Sequence, residues 1–146
     1  MLQTTLLNAV HAGAAQLQKF FNNEFKISNK EGINNLVTEA DHASEKAIID
    51  VIRNVYPDHF ILSEETGAIP SESEYKWIID PIDGTVNFAN GIPICCVSIA
   101  VEKNGKMILG AVYNPLMNEL YVAEKGKGAT LNDKKIAVSN KTEVIK

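Results

Sequence analysis

Two aspartates, Asp80 and Asp83, stand three positions apart in the segment WIIDPIDGTVNF, residues 77 to 88. Tyr75 to Ile79 reads as an apolar-rich strand that ends in Asp80. Pro81 has no N–H to give a sheet ladder, so the spacing predicts a turn there. Two carboxylates at the end of a buried strand, three apart across a proline turn, can converge on one point. A hard divalent cation removes the repulsion between such a pair and takes oxygen ligands. The carbonyl of Ile82, on the turn itself, is a further oxygen within reach. Gly84 permits close backbone approach, and Gly84-Thr85 opens a short helix through Phe88, whose free N–H groups favour a phosphate. A single aspartate in such a place commonly does no more than cap a turn or a helix start. The chemical reading rests on the whole segment.

Two more acidic sites precede it. Glu64-Glu65 ends the strand HFILS, the same strand-then-carboxylate arrangement as WIID, although consecutive glutamates are usually a solvated loop pair. Asp41 lies in LVTEAD at the start of a second helix, where it could also simply complement the helix dipole. Neither cysteine nor histidine is needed for this chemistry. Cys95 and Cys96 are adjacent, hence poor disulfide partners, and read as buried free thiols of a cytosolic protein. His11, His42 and His59 show no ligand spacing. An oxygen-only set argues for Mg²⁺ over Zn²⁺.

The elements that must position these groups can be read from the pattern. Leu2, Leu6, Leu7, Val10, Ala14, Leu17 and Phe21 recur at three-and-four spacing and predict a helix over residues 2–25. A polar break follows over Ser28 to Asn35. Thr38 with Asp41 is an imperfect capping box for a second helix, which Pro57 stops. His59 to Ser63 and Tyr75 to Asp80 are candidate strands separated by the loop TGAIPSESE. Ile94 to Glu102 alternates, and Asn104-Gly105 predicts a hairpin into Met107 to Tyr113. Asn114-Pro115 turns into Glu119 to Ala123, and Gly126, Gly128 and Asn132-Asp133 punctuate the remaining strands. The class is α+β, with two N-terminal helices packed on one face of an antiparallel sheet.

Composition agrees with a single folded domain. The chain has 146 residues, 45% hydrophobic and 22% charged, which excludes disordered and fibrous classes. Its net charge of −4 disfavours a partner held by long-range attraction to anions, so no direct nucleic-acid binding is expected. The longest apolar run, Ile92 to Val101, is too short to span a bilayer, and the N-terminus lacks a basic leader. No membrane association and a cytoplasmic location are expected.

Taken together, LVTEAD, the acidic SEET box, the DPIDGTVNF signature and the later GAVYNP and YVAEKGKGA stretches resemble the inositol monophosphatase superfamily. These are magnesium-dependent, lithium-sensitive phosphatases of sugars and inositol, and the resemblance runs from about Lys30 to Val138. It implies the first half of a layered sugar-phosphatase fold, and hydrolysis of a small-molecule phosphate monoester by metal-activated water. By resemblance, Glu64 and Asp80 ligate a first Mg²⁺ with the carbonyl of Ile82, and Asp80 and Asp83 share a second. Thr85, hydrogen-bonded to Asp41, positions or deprotonates the attacking water. The N–H groups of Gly84 and Thr85 hold phosphate oxygens, and Lys30 falls where the family often has a lysine on an active-site loop. The family's usual glycine before the acidic pair is Ser63 here.

Family members carry a second half of comparable size, whose W-D-x-A-type motif completes the second metal site. Residues 1–146 are therefore expected to be the N-terminal metal-binding domain, with the C-terminal half absent. An exposed apolar sheet face, self-association into homo-oligomers, weak Mg²⁺ binding and poor hydrolysis by the isolated chain follow from that expectation. Inositol phosphate or a related alcohol phosphate is the leading substrate class. Fructose-1,6-bisphosphatase and 3′-phosphoadenosine 5′-phosphate phosphatase activities are the alternatives within the superfamily. A truncated, non-catalytic binding or assembly module is the alternative from another class.

Overall fold

The computed structural model describes residues 1–24 and 30–142, with side chains described outside 22–37. Two long helices, α1 (Leu2–Glu24) and α2 (Lys30–Val55), precede the strands β1 (Phe60–Ser63), β2 (Gly67–Ile69) and β3 (Tyr75–Asp83). A five-residue helix, α3 (Thr85–Ala89), leads into β4 (Cys96–Lys103), β5 (Lys106–Asn114), β6 (Glu119–Glu124), β7 (Gly128–Leu131) and β8 (Lys134–Ile136). All eight strands form one sheet in the order β2-β1-β3-β4-β5-β6-β7-β8.

The expected α+β class holds, with three differences in detail. The sheet is mixed, because β1 pairs parallel with β3 while every other pairing is antiparallel. The TGAIPSESE segment makes that possible. Its first half forms the edge strand β2, a hairpin partner of β1, and the rest returns the chain to start β3 alongside β1. Helix α2 begins at Lys30, not after Thr38, so the polar stretch read as a break is partly helical. Weak propensities of Asn and Gly give way there to the longer helix. Asp41 is consequently a mid-helix residue, and a first-turn dipole role does not apply to it. Finally, β3 runs through Pro81 to Asp83 with a register irregularity, where a clean turn was expected.

Alternation along the strands builds the core. Trp77, Ile79, Val97, Ile99 and Val101 are buried on one face, against Leu6, Val10 and Leu17 of α1 and Ile48 and Ile52 of α2. The two helices approach closely at Gly13, where an added Cβ would lie 2.7 Å from Ile48 Cδ1 and 2.9 Å from Ser44 Oγ. That contact seats the face of α2 that meets β3. The Asn104-Gly105 hairpin forms as expected, both residues at positive φ (48° and 76°) as a primed turn requires. His59 is packed among aromatic rings. It is stacked between Tyr56 and Tyr75, and its Nδ1 accepts the Trp77 indole N–H at 3.0 Å.

On the other sheet face the strands carry small residues, Ala100, Gly110, Ala123 and Ala129 among them. These floor an apolar groove of about 830 Å³ beside the exposed Met107 and Ile136. No helix among the described residues is long and apolar enough to cross a membrane.

Candidate metal and phosphate site

Three elements bring carboxylates to one end of the sheet. β3 carries Asp80 and Asp83, the β1–β2 turn carries Glu64 and Glu65, and α2 carries Asp41 and Glu45. The irregularity in β3 decides how the first pair is aimed. Asp80 stands opposite Ser98 and Asp83 opposite Cys96, so three steps along β3 match two along β4. Residues three apart in a regular strand face opposite sides. The one extra residue is a β-bulge, and it returns both aspartates to the same side of the sheet. Proline suits this place, because the ladder is interrupted there and no N–H is required. The Ser44 hydroxyl donates to the Pro81 carbonyl at 2.9 Å and ties the bulge to α2.

Electrostatics mark the cluster. The Asp80 carboxyl is pushed up from 3.8 to about 6, first by burial, then by the charge and hydrogen-bonding approach of Glu64, then by Asp83; the Ile82 N–H opposes them. Asp80 Oδ1 is buried and has no hydrogen-bond partner. Asp41, only 6% exposed, is raised to about 7 by burial first and then by Glu65, Glu64, Asp80 and Glu45. The side-chain ion pairs found among the described residues all lie elsewhere. A set of anionic oxygens around an orphaned buried acceptor is what a hard divalent cation satisfies. Among the described residues no three His, Cys, Asp or Glu side chains already stand at ligating distance around one point.

The individual residues fall as follows. Glu64 is exposed on its turn yet close enough to Asp80 to shift it, while Asp83 is exposed at the end of β3. The Ile82 side chain is buried at 2% exposure, and its N–H meets the Asp80 carboxylate. Gly84 is left-handed (φ 89°) and precedes α3, so Thr85 begins that helix. No hydrogen bond between Thr85 and Asp41 is formed among the described residues. As a mid-helix residue, Asp41 has Glu65 and Glu64, on the β1–β2 turn, as its strongest charged neighbours. The side chain of Lys30 lies outside the described residues. The Cys96 thiol sits 4.0 Å from Asp83 Oδ2, and burial followed by the charges of Asp83 and Asp80 pushes it up to about 11. Cys95 is buried, and neither cysteine forms a disulfide among the described residues.

Two residues escaped the sequence reading. Ser44 and Glu45 follow Asp41 at i+3 and i+4, the spacing that shares one helix face, so the signal was present in the periodicity.

Comparison with known proteins gives the family. The Inositol monophosphatase family model matches residues 2–146. A Nus factor SuhB of Haemophilus influenzae is 45% identical over 145 residues, covering 99% of this chain and 54% of the relative. A fructose-1,6-bisphosphatase/inositol-1-monophosphatase of Aquifex aeolicus is 43% identical over 133 residues, 90% of this chain and 50% of its own length. The structure of an inositol monophosphatase from Anabaena superposes with a TM-score of 0.81 at 39% identity, covering 97% of this chain and 52% of that one. This chain thus spans about half the length of the curated relatives it matches. With a family match over residues 2–146 and relatives covered over nine-tenths or more of this chain, the chain belongs to the inositol monophosphatase family.

Proposed function

We propose that residues 1–146 form the cation- and phosphate-binding half of a Mg²⁺-dependent phosphomonoesterase acting on inositol phosphate or a related small alcohol phosphate. The observation that carries this reading is the orphaned buried oxygen of Asp80, flanked by Glu64 and by Asp83 on the same side of the sheet. Asp80, Glu64, Asp83 and the Ile82 carbonyl are the residues assigned to hold Mg²⁺. Bound there, Mg²⁺ supplies Lewis-acid stabilisation of phosphoryl oxygens and makes water a stronger nucleophile at neutral pH. The chain's own groups do the rest. The Gly84 and Thr85 N–H groups, at the turn into α3, orient the phosphate. Asp41, buried beside these carboxylates, and Thr85 are assigned to position or deprotonate the attacking water.

The Haemophilus relative bears the name Nus factor, which favours a second reading, a binding module in an assembly. One experiment separates them. The protein carrying this chain should release phosphate from inositol 1-phosphate in proportion to added Mg²⁺, and Asp83→Asn should cost about 100-fold or more in turnover. Mg²⁺-independent release, or release unchanged in Asp83→Asn, would overturn the hydrolytic reading. A protein silent at every Mg²⁺ concentration would favour the assembly module.

A further inference from the structure

Glu45 is a buried glutamate that the proposed chemistry does not use. It is 3% exposed and makes no ion pair among the described residues. A carboxylate taken out of water at that depth is costly unless hydrogen bonds replace its hydration. Here four donors do so, all from one four-residue segment. Its Oε2 accepts from the Ser63 hydroxyl, from the Glu65 N–H at 3.2 Å and from the Thr66 N–H at 3.1 Å. Its Oε1 accepts from the Thr66 hydroxyl. Burial pushes the Glu45 carboxyl up, but these hydrogen bonds outweigh it and hold the group below its ordinary range.

The segment so held contains Glu64, which contributes no donor to Glu45 itself. Its N–H donates to the Ile79 carbonyl of β3 at 3.2 Å, one residue before Asp80. The turn is therefore gripped from both sides, by β3 through the Glu64 backbone and by α2 through Glu45. The same face of α2 grips the other ligand-bearing segment, through Ser44 and the Pro81 carbonyl. Consecutive residues of one buried helical turn thus fix the two backbones that carry Glu64 and the Asp80–Asp83 pair relative to each other.

We propose that Glu45 is a positioning residue, whose buried carboxylate sets the Ser63–Thr66 turn so that the Glu64 side chain reaches a divalent cation held by Asp80. This rests on the assignment of Glu64 and Asp80 as cation ligands. Glutamine can keep its oxygen on the Ser63, Glu65 and Thr66 donors and give its NH₂ to the Thr66 hydroxyl, but it loses the charge that strengthens those hydrogen bonds, and aspartate is one methylene short. Outer groups that orient metal ligands typically govern affinity by about 10–100-fold, and Glu45 falls in that range.

The test uses Mn²⁺ as the probe, with free Mn²⁺ read by electron paramagnetic resonance. Amide exchange at Glu65 and Thr66 is read by NMR, in wild type, Glu45→Gln, Thr66→Val and Asp80→Asn. Glu45→Gln is expected to weaken Mn²⁺ binding about 10–100-fold and to speed exchange of the Glu65 and Thr66 amides about tenfold or more. Thr66→Val removes one donor from an exposed residue. It should give a smaller loss of the same kind, which keeps the test decisive even where Glu45→Gln fails to fold. A folded Glu45→Gln, or a Thr66→Val, with faster amide exchange but wild-type Mn²⁺ affinity would overturn the positioning role. Unprotected Glu65 and Thr66 amides in wild type would overturn the grip itself. Mn²⁺ affinity unchanged by Asp80→Asn would instead overturn the underlying ligand assignment, and the inference with it.

Discussion

Asp80→Asn should stabilise the metal-free protein while removing most of its affinity for divalent cations. Asp80 is partly buried, one of its oxygens has no partner, and Glu64 and Asp83 press on it with like charge. An amide of the same shape removes the repulsion and the cost of burying charge. At neutral pH the gain should be about 1–3 kcal/mol, read as a higher urea midpoint with unchanged slope. Trp77, the single tryptophan and fully buried, reports the transition by fluorescence. Function would fall as stability rises, the trade expected where a site holds charge that the fold alone would not choose. A variant less stable than wild type would mean that the Asp80 carboxylate serves the fold and not a ligand.

Gly84→Ala carries the second large expected effect, in the opposite direction. Gly84 has φ 89°, a conformation in which a Cβ is strained, and that Cβ would lie 2.9 Å from the Ile94 carbonyl oxygen and 3.3 Å from Cys95 Cα. Both neighbours are backbone, and Ile94 O is further held by the Asn87 side-chain amide at 2.8 Å, so neither can step aside cheaply. Strain and overlap together should cost about 2–4 kcal/mol. Gly105→Ala is the control. Its φ is 76° but nothing lies within 4 Å of the added carbon, so only the conformational cost of about 1 kcal/mol remains. Equal losses in the two variants, by urea unfolding, would show that the close approach at Gly84 has no energetic weight.

Much of this was legible in the residues. The apolar periodicity of α1, the alternation in β4 and the Asn104-Gly105 turn are local signals, and each element formed where its own pattern put it. What escaped is non-local. Gly67–Ile69 is too short and too plain to announce a strand, and it becomes β2 only because β1 offers an edge. The parallel pairing of β1 with β3 depends on that detour. The early start of α2 overrode a polar run, as tertiary context often overrides propensity.

At the site, the clustering of acidic types was readable from motif order, but the means of bringing Asp80 and Asp83 to one side was not. Pro81 suggested a turn, whereas the chain inserts one residue into a continuing strand. The buried partners were hidden for a related reason. Glu45 and Ser44 look like ordinary polar helix positions until the sheet is packed against them.

Asp80, with Glu64 and Asp83, is the proposed seat of a divalent cation, and an anomalous difference map from crystals soaked in Mn²⁺ can locate the ion. A peak is expected bonded to Asp80 Oδ1, the oxygen without a partner, and shared with the carboxylate of Glu64 or Asp83. A map in which Mn²⁺ binds elsewhere on the protein and Asp80 Oδ1 stays unpartnered would contradict this assignment.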